Sequence, residues 1–496
     1  MTRKVTILTI LALILASSCT AKQTPISSPT PSPKTNQTLL LPTPSRETSS
    51  TQLPTYTQTS TPIQTSDSPI FPNGPWVIVN AVDGLWLMNT DGTGLTRIVE
   101  APVYQFAVSS DQRTVAYVTD SDFSDDFAGL DLMVLALPSG PAHVVASLQN
   151  PAFWSDFSDD TLTDTEQAMR AIMGSPPAWS PDGSRIAFIS QAEGLSADLY
   201  VYKLKDQTTT RLTDGPSQAY HPVWSPDGRF IFHIGVWHFG TGAGYVNAGS
   251  WVVPVDGSTI QKLPDEYGTD EFIEWILPRK ILLASWSQPC GIAHLRTYDI
   301  TTSASQEIWP YCFNDIAVSK PSNRILIAVP AEYAQFSEPP QPTGVFLFHS
   351  PSSDAQLITD QNFERVVPHP FLPDAFLIPG SPKYYELTST DALNLIPGVP
   401  PAVPIPNPQN NLWLWESVSY YAPGLWVSPI SMDSTPRKII STFVDLPLWE
   451  PSGTGFFFID SDKDRLFVAR GPAFTPLLVS EKLILSWDSK FVIVDP

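Results

Sequence analysis

The sequence carries few of the residue patterns that catalysis requires. Its 7 histidines show no spacing that places two metal ligands on one face of a helix or strand. It contains no Gly-x-Ser-x-Gly nucleophile motif and no glycine-rich phosphate loop ahead of a helix. The aspartates between Asp122 and Asp131 do not follow the EF-hand spacing, so we interpret them as a solvated acidic loop. We therefore predict no catalytic residue, no metal site and no cofactor.

Cys19 follows a segment typical of an export signal. Arg3 and Lys4 precede an apolar core, Val5 to Ala16, that is too short to span a bilayer. The segment ends Leu-Ala-Ser-Ser-Cys19, which resembles a bacterial lipobox, although Ala16 stands where that family usually has leucine or another aliphatic residue. The resemblance implies that Cys19 is lipidated and anchors an exported protein to a membrane of the cell envelope. An ordinary signal peptide is the alternative.

Residues 20–71 form a tract of Thr, Ser, Pro and Gln with few charged or aromatic residues. Such a composition cannot bury enough apolar surface to fold. Its prolines favour extended backbone of roughly 3 Å per residue. We predict a disordered tether that lifts a globular head, residues 72–496, off the membrane.

The charge balance limits the range of partners. The chain has 49 Asp and Glu against 28 Lys and Arg, a formal net charge of −21. This excess argues against nucleic acid and against anionic membrane surfaces as partners. A chain of 496 residues is also too long for one ordinary core unless repetition builds that core.

One motif recurs along the head. Trp179-Ser-Pro-Asp-Gly-Ser-Arg-Ile-Ala-Phe returns 45 residues later as Trp224-Ser-Pro-Asp-Gly-Arg-Phe-Ile-Phe. Ser-Pro-Asp-Gly is typical of a tight turn, and the β-branched and aromatic run after it is typical of a buried strand. Phe106 to Tyr117 is a weaker copy, and later copies drift further. Four strands per unit at this period indicate a propeller blade.

These repeats, with Leu85-Trp-Leu-Met-Asn-Thr-Asp-Gly, resemble those of TolB-type propellers, also called WD-repeat-like propellers. The resemblance covers residues 85–263 and implies an all-β fold but no particular function. We predict a β-propeller of about eight four-stranded blades, with seven as the alternative. Phe491 to Val494 should pair near Trp76 and close the ring, which removes exposed sheet edges.

The loop lengths predict one functional face. With strands A to D in each blade, the Ser-Pro-Asp-Gly turns join A to B and stay short, whereas the long insertions join B to C or D to A. Loops on a rigid scaffold concentrate function, and exposed aromatic residues often anchor partners. The longest insertion also predicts a short helix near Met169, capped by Thr163, as a lid or a plug. The candidate ligand-binding residues on these loops are Trp154, Trp237, His238, Tyr245, Tyr333, Tyr420 and Tyr421.

The remaining cysteines, Cys290 and Cys312, are an even pair on an exported chain, which favours a disulfide. Cys290 follows the second strand of its unit, and Cys312 is expected in the loop after the fourth. Both positions lie on the long-loop face.

We therefore favour a membrane-anchored, extracytoplasmic, non-enzymatic module that binds a protein, peptide or glycan on its long-loop face. The alternative is an enzyme that processes polysaccharide or peptide at the propeller mouth. Two carboxylates or several histidines that converge at the axis would favour the enzyme.

Overall fold

We describe the fold from a computed structural model. The residues it describes are 69–120, 129–149, 164–240, 244–265, 270–287, 290–337, 339–380, 384–396, 404–409, 411–417, 423–429, 436–486 and 489–496.

Within these residues the strands form nine four-stranded antiparallel sheets, each a blade of a β-propeller. The expectation of eight blades, or seven, is therefore wrong. In each blade the strands follow chain order from A to D, except that the last strand of the chain supplies strand A of blade 1.

The strands of blades 1 to 3 are β1 (Trp76–Ala81), β2 (Gly84–Asn89), β3 (Thr96–Arg97), β4 (Val103–Val108), β5 (Thr114–Asp120), β6 (Leu130–Ala136), β7 (His143–Ser147), β8 (Ala178–Trp179), β9 (Arg185–Ser190), β10 (Asp198–Lys203) and β11 (Thr208–Arg211). Those of blades 4 to 6 are β12 (Gln218–Trp224), β13 (Phe230–Phe239), β14 (Tyr245–Pro254), β15 (Gln261–Lys262), β16 (Asp270–Leu277), β17 (Lys280–Ser287), β18 (Gly291–Asp299), β19 (Ala304–Phe313), β20 (Asp315–Ser319), β21 (Arg324–Val329), β22 (Gly344–Phe348) and β23 (Gln356–Thr359). Those of blades 7 to 9, with the closing strand, are β24 (Val367–Pro368), β25 (Phe376–Ile378), β26 (Tyr384–Leu387), β27 (Leu393–Ile396), β28 (Pro404–Pro406), β29 (Leu412–Ser417), β30 (Gly424–Pro429), β31 (Arg437–Ile440), β32 (Val444–Trp449), β33 (Gly455–Asp460), β34 (Arg465–Arg470), β35 (Leu477–Leu478) and β36 (Phe491–Val494). One α-helix, α1 (Asp164–Gly174), and one 3₁₀ helix, Ala331–Phe336, lie between strands of the described residues.

The Ser-Pro-Asp-Gly motif forms the A–B turn, as predicted. In blade 3 the Ser180 hydroxyl donates to Asp182 Oδ1 at 2.6 Å and accepts the Arg185 N–H at 3.0 Å. Gly183 donates its N–H to the Ser180 carbonyl at 2.8 Å with φ of 68°. The left-handed backbone at this position explains the glycine.

A tryptophan at the end of strand A, just before the A–B turn, joins neighbouring blades. The indole N–H donates to a carbonyl oxygen on strand A of the preceding blade, so each bond ties two inner strands together. The pairs are Trp179 to Ala107 at 3.1 Å, Trp224 to Ala178 at 2.8 Å, Trp275 to Val223 at 3.3 Å and Trp449 to Ile405 at 2.8 Å.

The hydrophobic core lies between the blades. Val77 and Val79 of blade 1 pack with Phe457 and Val468 of blade 9, and similar clusters join the other neighbouring blades. The closing strand pairs as predicted, with Trp76 opposite Val494 and Val79 opposite Phe491. Residues 483–486 form no strand, and Leu483 and Leu485 are buried between blades 9 and 1.

Blade 8 is a repeat for which the motif search gave no signal. Its A–B turn, Asn407 to Asn411, lacks the Ser-Pro-Asp-Gly motif, and two prolines occupy its short strand A, β28. The Asn407 side chain replaces the serine hydroxyl, because its Oδ1 accepts the N–H groups of Asn411 at 2.9 Å and Leu412 at 3.1 Å. The same turn is therefore made with different residues.

Candidate binding surface

The strand directions define two faces of the propeller. The A–B and C–D turns end on one, which we call the plain face. The B–C and D–A connections end on the other, the long-loop face. Strand β1 is strand B of blade 1, and it begins at the end of the blade where the A–B turns lie in the other blades. The chain therefore enters blade 1 from the plain face. Asn89 holds the entering segment there, donating to the Pro69 carbonyl at 3.1 Å and accepting the Phe71 N–H at 2.7 Å.

The longest hairpin lies on the long-loop face in blade 4. Gly235 to Ser250 is one of the long insertions that the sequence predicted to be loops. That prediction is wrong here, because strands β13 and β14 continue through most of it. The inner strand pairs with β13 no further than Val236, opposite Gln218. The hairpin therefore extends past the inner strand. Its side chains include Trp237, which is 52% exposed, Tyr245, which is 41% exposed, and an exposed His238.

Helix α1 supports this hairpin. The Gln167 amide bonds both backbone groups of Phe239: the Phe239 N–H donates to Oε1 at 2.5 Å, and Nε2 donates to the carbonyl at 3.4 Å. Ala168, Ala171 and Ile172 on the helix are at most 1% exposed and belong to the core shared by blades 2 to 4. The helix is therefore a packed plug and not a free lid.

Three rings join the inner strand to the hairpin. Tyr220 of β12 meets Phe239 edge-on at 5.2 Å and Tyr245 at 5.6 Å between ring centroids. Burial, with a contribution from Tyr245, raises the pKa of Tyr220 to about 12. Burial also raises the pKa of Tyr245, and the negative charge of Glu271 adds to the shift. Both phenols are therefore neutral donors at physiological pH, and the Tyr245 ring is held in place.

Blade 5 continues the exposed surface. Strands β17 to β19 also extend beyond the start of their inner strand, and they expose Trp286 (51%) and Tyr311 (36%). We call Trp237, Tyr245, Trp286 and Tyr311 the aromatic ridge. Its residues lie at the long-loop ends of two neighbouring blades.

A disulfide joins Cys290 to Cys312 beside these rings, with a Cα separation of 5.9 Å. Cys290 lies between strands B and C, as predicted. Cys312 was expected in the loop after strand D, but β19 runs through Phe313, so Cys312 lies within the strand opposite Ala293. The bond links the B–C end of blade 5 to its fourth strand.

Blade 6 holds this bridged edge through its B–C loop. The Gln341 side chain accepts the Cys312 N–H at 3.2 Å and donates to the Cys312 carbonyl at 2.9 Å. The half-buried Tyr333 donates to Asn314 Oδ1 at 3.0 Å, and its hydroxyl lies 3.2 Å from the Cys290 carbonyl oxygen. The structure thus gives Tyr333 an internal bracing contact, whereas Trp237 and Tyr245 face solvent.

Two carboxylates come near each other on the same face, in blades 8 and 9. Burial raises the pKa of Glu416 at the end of β29, and the charge of Asp445 on β32 raises it further. Asp445 accepts a hydrogen bond from Ser461 at 2.5 Å. A carboxylic acid with a raised pKa can act as a general acid beside a second carboxylate, so this pair is relevant to the enzyme alternative.

Several predicted residues lie outside the described residues: Cys19, Trp154, Tyr420 and Tyr421. Trp286 and Tyr311 were not among the binding residues predicted from the sequence. Their position close to the predicted disulfide was the available signal.

Among the described residues no group of three or more His, Cys, Asp or Glu side chains is placed to hold a metal ion. None of the helices in that part of the chain has the length and apolar character needed to cross a membrane.

The sheets and their closure define the class: the protein is a β-propeller. No family model matches the chain. Its curated relatives match short segments. The uncharacterized peptidase YuxL of Bacillus subtilis is 47% identical over 55 residues, which are 11% of this chain and 8% of that protein. The uncharacterized protein Atu1656 of Agrobacterium fabrum is 32% identical over 94 residues, which are 19% of this chain and 29% of that protein. The chain therefore matches less than a third of the length of either relative.

Solved structures similar to the chain include TolB proteins and other propellers, in agreement with the resemblance in the repeats. TolB from Acinetobacter baumannii is 15% identical, with a TM-score of 0.29, over 56% of this chain and 61% of that chain. Dipeptidyl peptidase 4 of Porphyromonas gingivalis is 10% identical, with a TM-score of 0.48, over 77% of this chain and 60% of that chain. At such scores these structures carry no argument about function.

Proposed function

We propose that the chain is a membrane-tethered, extracytoplasmic binding module. In this proposal a lipid on Cys19 anchors it to a membrane of the cell envelope, residues 20–71 provide reach, and the long-loop face binds a protein, peptide or glycan. The observation that carries the proposal is the exposed Trp237 on strand β13 of the blade 4 hairpin. Trp237 is 52% exposed there and, among the described residues, has no hydrogen-bond, ring or ion partner.

A partner that covers such a residue gains free energy from burial. Covering one large aromatic side chain contributes roughly 1.5–3 kcal/mol, and aromatic residues at the centre of an interface are common hot spots. Helix α1 and the Gln167 bonds already fix the hairpin, so little conformational entropy is lost when a partner binds.

Co-purification tests the binding face. Detergent-solubilised membranes are prepared from cells that carry the parent, the Trp237→Ala/Tyr245→Ala double variant, or Phe371→Ala. Phe371 is 40% exposed in an A–B turn and serves as the matched control on the plain face. We expect the bound partner to be lost from the double variant and retained by the control. A partner retained equally by all three proteins would contradict the proposed face.

The anchor needs a separate test. Cys19→Ser should move the head from the detergent phase to the aqueous phase on phase separation. If the variant partitions as the parent does, Cys19 is not the site of the anchor.

An enzyme at the propeller mouth is the second candidate, and the neighbouring Glu416 and Asp445 carboxylates favour it. The test is whether the parent releases products from peptides or polysaccharides. Activity of the parent, together with an inactive but equally stable Glu416→Gln variant, would support the enzyme alternative. An equal rate from both proteins would exclude Glu416 from any such reaction.

A further inference from the structure

We propose that the aromatic ridge binds a segment of a partner protein that presents lysine or arginine side chains. This inference rests on the proposed function, because it uses the same face, and it adds the chemistry of the partner.

The first observation is that cations of the protein itself lie over several of its other aromatic rings. Its own cations cover several of them on the blades: Lys262 lies over Trp251 at 5.2 Å, Lys438 over Trp426 at 4.8 Å, Arg185 over Trp224 at 4.8 Å and Arg97 over Trp86 at 5.8 Å. In contrast, none of the cations in the described residues lies over Trp237 or Tyr245. A cation over an aromatic face is attractive, and indole is the best such face. These two exposed rings therefore offer a partner the contact that the protein makes internally elsewhere.

The second observation is the charge around the ridge. The chain has a net charge of −21, and the exposed Glu271 lies close enough to Tyr245 to raise the pKa of that phenol. An acidic field draws a cationic segment to the surface, and a carboxylate beside the ring provides the counter-charge for the bound side chain.

Two cations on blades 4 and 5, the blades that carry the ridge, are already engaged, and this disfavours an anionic partner. Arg296 of β18 is 1% exposed and paired with Asp270. Lys262 donates to the Ala248 carbonyl at 3.2 Å while it covers Trp251. An anionic partner would have to displace these contacts, whereas a cationic partner meets ring faces and Glu271.

Peptide titration of the full-length protein in detergent tests the inference. The probes are a short arginine-rich peptide without aromatic residues, a glutamate-rich peptide of equal length, and a neutral oligosaccharide. The proteins are the parent, Trp237→Ala/Tyr245→Ala, Glu271→Gln, and the plain-face control Phe371→Ala. Calorimetry at low and at physiological salt reports the affinities.

We expect the arginine-rich peptide to bind the parent and the control equally and the glutamate-rich peptide to fail. Loss of two cation–π contacts should weaken binding of the double variant roughly tenfold. Glu271→Gln should weaken binding mainly at low salt, because screening already reduces its effect at physiological salt.

Other outcomes separate this inference from the proposed function. Equal binding of the arginine-rich peptide by the double variant would show diffuse attraction to an acidic protein and overturn the inference. Binding of the oligosaccharide that depends on Trp237, without binding of the cationic peptide, would also overturn it but would leave the proposed face intact. If neither probe binds and the co-purified partner is also insensitive to Trp237, both proposals fail.

Discussion

At the scale of single residues, the A–B turns depend on backbone conformation more than on one amino acid. Gly183 adopts a φ of 68° and Gly228 one of 66°. In weaker repeats Gln112 and Asn323 adopt φ of 57° in the corresponding turns. Glycine enters this region without strain, asparagine tolerates it, and β-branched residues are outliers there. The turn therefore tolerates changes of amino acid while its backbone conformation is kept, which is why the repeats become harder to recognise along the sequence.

Replacement of Gly183 by valine should be costly. A β-branched side chain would be forced into the left-handed region, and its Cβ would lie about 3.0 Å from Ser110 Oγ. We expect a loss of at least about 1 kcal/mol of unfolding free energy, whereas Gly183→Asn at the same site should cost clearly less. Thermal unfolding of both variants checks this. A melting temperature for Gly183→Val equal to that of the parent would count against the turn assignment.

His233 should contribute a pH dependence to stability. The ring is fully buried and stacked on Trp251 at 5.6 Å, and burial lowers its pKa to about 4. The unfolded chain, with an ordinary pKa near 6.5, therefore binds a proton between about pH 6.5 and pH 4 that the folded chain does not. The contribution of neutral, buried His233 to the free energy of unfolding should be fully present above this pH window. It should fall by up to about 3 kcal/mol as the pH drops through the window.

The prediction for His233 is tested by the slope of the unfolding free energy against pH, compared between the parent and two variants. Denaturant unfolding should show a shallower slope for His233→Phe, which keeps a stacking ring, than for the parent. His143→Gln changes an exposed histidine and should leave the slope unaltered. Parallel slopes for parent and His233→Phe would refute the assignment.

At the scale of elements, the long-loop face is built by strand extension more than by irregular loops. The blade 4 hairpin stands on α1, and the blade 5 edge is held by the disulfide and by the Gln341 amide of blade 6. Each of these contacts holds the end of an extended hairpin or strand against the rest of the propeller. The exposed rings of the ridge are therefore carried on rigid elements.

The disulfide should stabilise the protein chiefly through the unfolded chain. Cys290 and Cys312 are 22 residues apart, and closing a loop of that size is worth about 3 kcal/mol in the chain-entropy model. We expect Cys290→Ser/Cys312→Ser to lose about that much in denaturant unfolding under oxidising conditions. Added reductant should bring the parent to the same value and leave the variant unchanged. Two free thiols in a non-reduced digest of the parent, produced under oxidising conditions, would refute the bond.

The sequence allowed prediction of those elements whose local chemistry repeats. The Trp-Ser-Pro-Asp-Gly copies predict the turn, the strand after it and the four-stranded unit. Blade 8 could not be found this way, because Asn407 makes the turn bonds through an amide and prolines occupy its inner strand. Of the exposed aromatic residues on the ridge, Trp237 and Tyr245 were candidates from the sequence, whereas Trp286 and Tyr311 were not. Whether a strand residue is exposed depends on how far its neighbours extend, and a single strand does not encode that length.

At the scale of the whole molecule, the two ends of the described chain meet on the plain face. Asp495 donates its N–H to Gln112 in an A–B turn at 2.8 Å. A Cβ added at Gly74 would lie 2.9 Å from the Pro496 ring. Blade 1 thus combines strands from both ends, and opening the ring there exposes two inter-blade cores.

Circular permutation tests this arrangement. The permutant joins Pro496 to Pro69 through a short Gly/Ser linker and opens the chain between Asp206 and Gln207, an exposed C–D turn of blade 3. All strands then keep their partners, and termini in exposed turns are generally tolerated. We expect it to fold with a melting temperature close to that of the parent.

The control for the permutant is removal of residues 491–496 from the natural order. That change deletes the inner strand of blade 1, with Phe491 and Val494 at most 5% exposed, and leaves β1 with an unpaired edge. Loss of one large buried side chain alone costs about 3–5 kcal/mol, so the truncated chain should unfold far below the parent or aggregate through its open edge. If the truncated chain melted with the parent while the permutant failed to fold, β36 would not be the strand that closes the ring.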